Sequence, residues 1–224
     1  MMQALKIWKS VAAAVLFISS CQALDAQGLA QQGSAIDDIV PQGWLHQEAQ
    51  GDLNKDGIPD LVVVATPDNE ENTIMGDDGY VYNFNQPVLG IYFGTGQGAQ
   101  HLWRQYENVI PANEDENCSH EIKLEITVRG TLRISDVLFC SMGSYETTAD
   151  TYTYRYQQGD FFLIGADKEE LHRNNGNSTI ISENYLTWKR QETRYKVFHY
   201  DKDPTEKWSR LSKKPLERLG ERKL

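Results

Sequence analysis

From about residue 44 onward the chain alternates apolar and polar residues in short runs broken by Gly, Asn and Asp. A period of two puts successive side chains on opposite faces, so this pattern demands β-strands with at least one buried face. Candidate strands cover residues 44–49, 61–66, 88–93, 101–106, 122–128, 132–140, 152–156, 161–165, 184–189 and 194–200. Helix signals are few. They are "DKEELHR" near residue 170 and "DPTEKWSRL", where Asp203, Pro204 and Glu206 suit the N-cap, first-turn and N3 positions. Pro215 soon follows the second, which could equally be extended. The expected fold is mainly β: a compact, antiparallel, β-rich single domain with few short helices.

One hairpin can be derived in register. If Val128, Arg129 and Gly130 form a three-residue loop with Gly130 left-handed, as a type I turn plus bulge requires, the strand partners are set. Ile126 then faces Leu132 and Leu124 faces Ile134, while Glu125 faces Arg133 and Thr127 faces Thr131 on the other side. A two-residue turn would set Ile126 against Arg133 and Leu124 against Ser135, which spoils both faces. The favoured register also puts Cys118 opposite Cys140. A second hairpin is expected at "TYTYRYQQGDFFLIG", with its turn at residues 158–160. There Tyr152, Tyr154 and Tyr156 share one face, and Phe162 and Ile164 would bury it; the alternative for such a stripe is a sugar-binding platform.

The stretch "GDLNKDGIPDLVVV", residues 51–64, has another logic. A calcium ion takes six to eight oxygen ligands, and a twelve-residue loop supplies them from positions 1, 3, 5, 7 and 9, with Gly at position 6 for the sharp turn. Counted from Asp52, those positions are Asp52, Asn54, Asp56, the carbonyl of Ile58, and Asp60, with Gly57 sixth. Position 12 is Val63, where an EF-hand places a bidentate Glu, and a β-branched run follows. The pattern is not an EF-hand and reads as a metal loop that leads into a strand. Three carboxylates in one tight turn repel each other unless a cation or a proton intervenes, which favours metal over a solvated acidic turn. Magnesium suits such a flexible, high-coordination loop poorly.

"GDLNKDGIPDLVVVATP" followed by "VLGIYFGTGQG" resembles a single FG-GAP or VCBS-type repeat, the calcium-loop-then-strand unit of integrin-α-like propellers. The resemblance covers about residues 44–98. It implies that Asp52, Asn54, Asp56, Ile58 and Asp60 are the calcium ligands and that the loop supports adhesion or ligand binding. The loop occurs once, and propellers need about four to eight blades, so a complete propeller is not expected. "YTYRYQQGDFFLIGAD" resembles, more weakly, secreted bacterial proteins that carry one such loop in a compact β-rich domain; that resemblance implies no activity.

The N-terminus has Lys6 and Lys9 ahead of an apolar run over residues 11–18, the pattern of a secretory signal peptide spanning residues 1–21. Ile18, Ser19, Ser20 and Cys21 resemble the bacterial lipobox, which implies a lipid anchor on Cys21; the alternative is ordinary cleavage after Ala23 or Ala26. Residues 22–38 are rich in Gln, Ala and Gly without an apolar stripe and read as a flexible tether, leaving residues 39–224 as the domain. Either route leaves Cys118 and Cys140 as an even pair in an oxidising compartment, and so one disulfide.

Charge is unevenly placed. Residues 36–80 carry eleven acids and one Lys, whereas residues 201–224 carry eight Lys or Arg against five acids. The first stretch disfavours nucleic acid and favours cations as partners; the second reads as a solvated surface segment. Catalytic signatures are weak. His46, His101, His120, His172 and His199 lack metal-ligand spacing, "CSMGS" lacks the first glycine of a nucleophile turn, and "GTGQG" lacks the Lys-Ser/Thr of a phosphate loop. The functional expectation is a calcium-stabilised binding domain for a protein or glycan partner in a bacterial cell envelope, lipid-anchored or periplasmic, or else secreted. The alternative is a hydrolase of cell-wall or polysaccharide substrates.

Overall fold

Alternation is realised in fourteen strands of a computed structural model that describes residues 28–76, 79–198 and 203–224. In chain order these are β1 (Gln32–Gly33), β2 (Leu45–Gly51), β3 (Asp60–Thr66), β4 (Thr73–Met75), β5 (Val81–Asn83), β6 (Val88–Gly94) and β7 (Gln100–Tyr106). Then follow β8 (Cys118–Ile126), β9 (Thr131–Cys140), β10 (Glu146–Gln157), β11 (Asp160–His172), β12 (Asn177–Asn184), β13 (Lys189–Lys196) and β14 (Thr205–Arg210). One short helix, α1 (Ile36–Ile39), precedes β2. The first strands form a five-stranded antiparallel sheet in the order β1-β7-β6-β3-β2. From β8 on, the chain meanders through a seven-stranded sheet, β14-β13-β12-β11-β10-β9-β8, that curls into a half-barrel. The result is a single β domain, and not a closed propeller.

The two sheets pack face to face. Val62, Val64, Leu89 and Ile91 from the small sheet meet Leu132, Ile134, Tyr152 and Tyr154 from the large one. Phe93 and Trp103 close the seam against Tyr156 and Phe161, with ring centroids 5.1 Å apart for Phe93 and Tyr156 and 5.3 Å for Trp103 and Phe161. The tyrosine stripe is therefore packing, with Tyr152 and Tyr154 both buried. β3 reads as an unbroken apolar run because it is covered on both faces. Its alternate residues Leu61, Val63 and Ala65 face away from the half-barrel, onto Leu29, Ile39 and Val40.

That outer cover corrects the expected tether from residue 28 on, while residues 22–27 lie outside the described residues. Gln32 and Gly33 pair with His101 and Gln100, and the buried Tyr92 hydroxyl donates to the Ala30 carbonyl at 2.7 Å. The ordered domain thus includes residues 29–38, recruited to cover the second face of β3. The basic C-terminal segment is exposed over residues 203–210 and 212–215, as a solvated surface segment would be, but beyond them it docks on the core. The Leu163 amide donates to Glu217, and that of Leu219 to Phe161. Leu219 is buried, and Leu211, Leu216 and Leu224 pack against the same core.

The register derived for β8 and β9 is the one observed, from Ile126 opposite Leu132 to Cys118 opposite Cys140. The cysteines form a disulfide with Cα atoms 4.0 Å apart. Other expectations need revision. "DKEELHR" lies in β11, hydrogen-bonded on both sides, and "DPTEKWSRL" supplies β14. The strand expected at residues 184–189 is mostly the β12–β13 turn. The β10–β11 turn has two residues, Gln158 and Gly159, with φ of 52° and 80°, as a type I′ hairpin requires. This moves the partners by one, so Phe161 and Leu163 cover the tyrosines in place of Phe162 and Ile164.

Candidate metal loop

The acidic loop joins β2 to β3 at the end of the small sheet, against the β8–β9 turn. Gly130 has φ of +70°, and a Cβ there would lie 2.6 Å from the Asp52 carbonyl oxygen. Only glycine fits both the turn and this approach.

Within the loop each acidic or amide side chain folds back on the backbone. Asp52 accepts from the amides of Lys55 at 2.6 Å, Asp56 at 3.2 Å and Gly57 at 2.9 Å. Asn54 Oδ1 accepts from the Asp56 amide, and Asp56 Oδ1 from the Ile58 amide. Asp56 Oδ2 takes the Asn54 side-chain N–H at 3.0 Å. Asp60 is fully buried. Its Oδ2 accepts from Leu53 at 2.8 Å and Asn54 at 3.3 Å, and its Oδ1 from Gly94 at 3.0 Å. The Asp60 carboxylate therefore ties the start of the loop to the end of β6. Burial pushes its pKa up, the three amides pull it down, and the negative charge of Asp56 adds to the rise.

The structure keeps Asp52, Asn54, Asp56, Ile58 and Asp60 within this one turn, with unequal roles. Asp56 is exposed, Asp52 and Asn54 are half-buried, and Asp60 is spent mainly on the fold. Among the described residues, no group of three His, Cys, Asp or Glu side chains converges on one point as a ready-made metal cluster. The donor chemistry still fits a hard cation. An sp² oxygen with one amide partner keeps a second lone pair, and such lone pairs remain on Asp52 Oδ2, Asn54 Oδ1, Asp56 and Asp60 Oδ1. With the Ile58 carbonyl, the set is all oxygen, which suits calcium and excludes soft metals.

Cys21 lies outside the described residues. One polar pair escaped the sequence reading: His120 Nδ1 lies 2.9 Å from both oxygens of the buried Asp136. The derived hairpin register contained the signal, because Asp136 faces Ile122, a diagonal neighbour of His120 on the same face. His120 of this pair lines a cleft of about 240 Å³ between the sheets. The neighbouring amides of Asn83, Asn85 and Asn113 are bonded to one another or to backbone.

The class that fold and loop define is an antiparallel β domain of two packed sheets and a small β4–β5 hairpin, stapled by the Cys118–Cys140 disulfide. Comparison with protein-family models, curated proteins and solved structures returned no match at any of the three levels.

Proposed function

We propose that the protein is an exported, calcium-stabilised β domain that binds a protein or glycan partner. It acts at the bacterial cell envelope, anchored through Cys21 or free in the periplasm, or beyond the cell. The observation that carries this reading is the turn at residues 52–60, whose carboxylates are preorganised by backbone amides and retain all-oxygen coordination capacity beside the junction of the two sheets. A cation there would neutralise the mutual repulsion of Asp52, Asp56 and Asp60 and stiffen the link between β2 and the β8–β9 turn. The Cys118–Cys140 disulfide supports export, since such bonds persist in oxidising compartments.

Calorimetric titration of calcium into chelator-treated protein tests the reading. One saturable site per chain, lost in Asp56→Ala, is expected. No heat of binding at millimolar calcium removes the metal from the account.

A further inference from the structure

The outer face of the half-barrel, turned away from the core, carries a trough. Antiparallel partners share a face, so Ser135, Thr151, Asp167, Ser182, Gln191 and Trp208 form one row across six strands. Beside it runs a second row: Arg133, Thr153, Gly165, Asn184 and Lys189. The bulge between β10 and β11 leaves Ile164 unpaired and sets Gly165 opposite Thr153. A position without a side chain thus lies low between Thr153 and Asn184. Two adjoining hollows of about 900 and 500 Å³ share Thr153, Ile164 and Leu186. One begins at Asp52, Lys55 and Arg129, and the other ends at Trp208.

Three properties of the trough select a ligand. It is long and open, which suits an extended polymer better than an enclosed small molecule. Its hydroxyls and amides, from Thr153, Ser182, Asn184 and Gln191, can bond sugar hydroxyls, and Trp208 at 61 % exposure offers an indole face to stack on a ring. Its charge runs against that of the protein. The chain carries a net charge of −10, yet Lys55, Arg129, Arg155 and Lys189 line the trough. None of these four forms an ion pair among the described residues. Asp52, Asp167 and Glu183 are the acids on the same lining, and Glu183 is itself paired with Arg190 at 3.8 Å. Uncompensated cations in a groove of an acidic protein concentrate anions there. A peptide strand adding to the sheet would need an edge for its main-chain bonds, and a sheet face offers none.

We propose that this trough binds a linear anionic polysaccharide of the uronate type. Trp208 stacks on one sugar ring, while Arg129, Arg155 and Lys189 meet the carboxylates. The inference rests on the binding-domain reading above and names the partner class.

Oligogalacturonate is titrated into the disulfide-bonded mature chain in EDTA, with dextran as the neutral control. Working without calcium separates this test from the metal claim. Saturable binding that weakens as salt rises from about 50 to about 500 mM is expected, with no response to dextran. Trp208→Ala and Arg155→Ala should each lower affinity about fivefold or more, with unchanged circular dichroism, since both side chains lie outside the core. Absent oligogalacturonate binding, equal binding of dextran, or full affinity in Trp208→Ala overturns the proposal. If calcium binding persists in that case, the partner assignment falls and the calcium-stabilised domain stands.

Discussion

Asp60→Ala separates the structural work of the loop from its metal chemistry. The substitution leaves three amide donors without an acceptor. The Leu53 amide is buried, and losing its only partner costs about 1–3 kcal/mol. The amides of Asn54 and Gly94 are partly exposed and can recruit water into the vacated space, so each loses about 1 kcal/mol. Removing the carboxylate also relieves the desolvation that raises its pKa, which offsets part of this loss. The net is about 2–4 kcal/mol. With a urea m value of about 2 kcal/mol/M, the midpoint should fall by about 1–2 M. Denaturation is measured in EDTA, so the loss does not depend on calcium. Asp56→Ala, at an exposed position, should cost less than about 1 kcal/mol under the same conditions. A midpoint for Asp60→Ala within error of the parent, or a larger loss for Asp56→Ala, would refute the assignment of Asp60 as the bond between loop and sheet.

Further outcomes follow from other parts of the fold. Replacing Cys118 and Cys140 with Ser opens a cross-link of sequence separation 22 and should cost about 3 kcal/mol by urea denaturation, with strand content retained in circular dichroism. Leu219→Ala should destabilise by about 2–4 kcal/mol, because the C-terminal segment is a core element; a solvated tail would show no change in melting temperature. Glu217 accepts from Lys214 Nζ at 2.6 Å and from Arg222 Nε at 2.9 Å, and its pKa is lowered, by the Lys214 bond first. A folded pKa below the unfolded one contributes stability above the unfolded pKa and loses it as pH falls through the folded pKa. Glu217→Gln should therefore be less stable than the parent at pH 7, by under about 1 kcal/mol, and the gap should close between about pH 5 and pH 3 in thermal melts.

Local patterning carried the β8–β9 hairpin completely, because its turn residue, its two faces and its cysteines all agree on one register. β10–β11 was legible only to within one residue. Its turn chemistry permits two or three loop residues, and aromatic residues at both Phe161 and Phe162 satisfy either choice. "DKEELHR" carries helix-forming residues, yet it lies mid-sheet between β10 and β12, where pairing on both sides outweighs intrinsic propensity. Its charges are tolerated because that end of the sheet is open to solvent, with Lys168 reaching Asp150 at 3.1 Å. The segments over residues 29–40 and 211–224 showed no periodicity because they cover the core with elements too short to repeat, β1 and α1 in the first and irregular chain in the second, anchored by single residues such as Leu29 and Leu219. The loop at residues 52–60 was legible as a turn with its ligand set. What spacing alone did not convey is the division of labour inside it, since Asp60 is bound by an amide from Gly94, which lies far along the chain.

The melting temperature of the chelator-treated protein, with and without calcium, decides whether the loop at residues 52–60 is a metal site. Calcium at about 100 times its dissociation constant should add about 2.7 kcal/mol. For a domain of this size that raises the melting temperature by about 5–10 °C. This rise is expected for the parent, with a smaller one for magnesium at equal concentration and none for Asp56→Ala. An unchanged melting temperature, or a rise that survives in Asp56→Ala, would contradict the metal site.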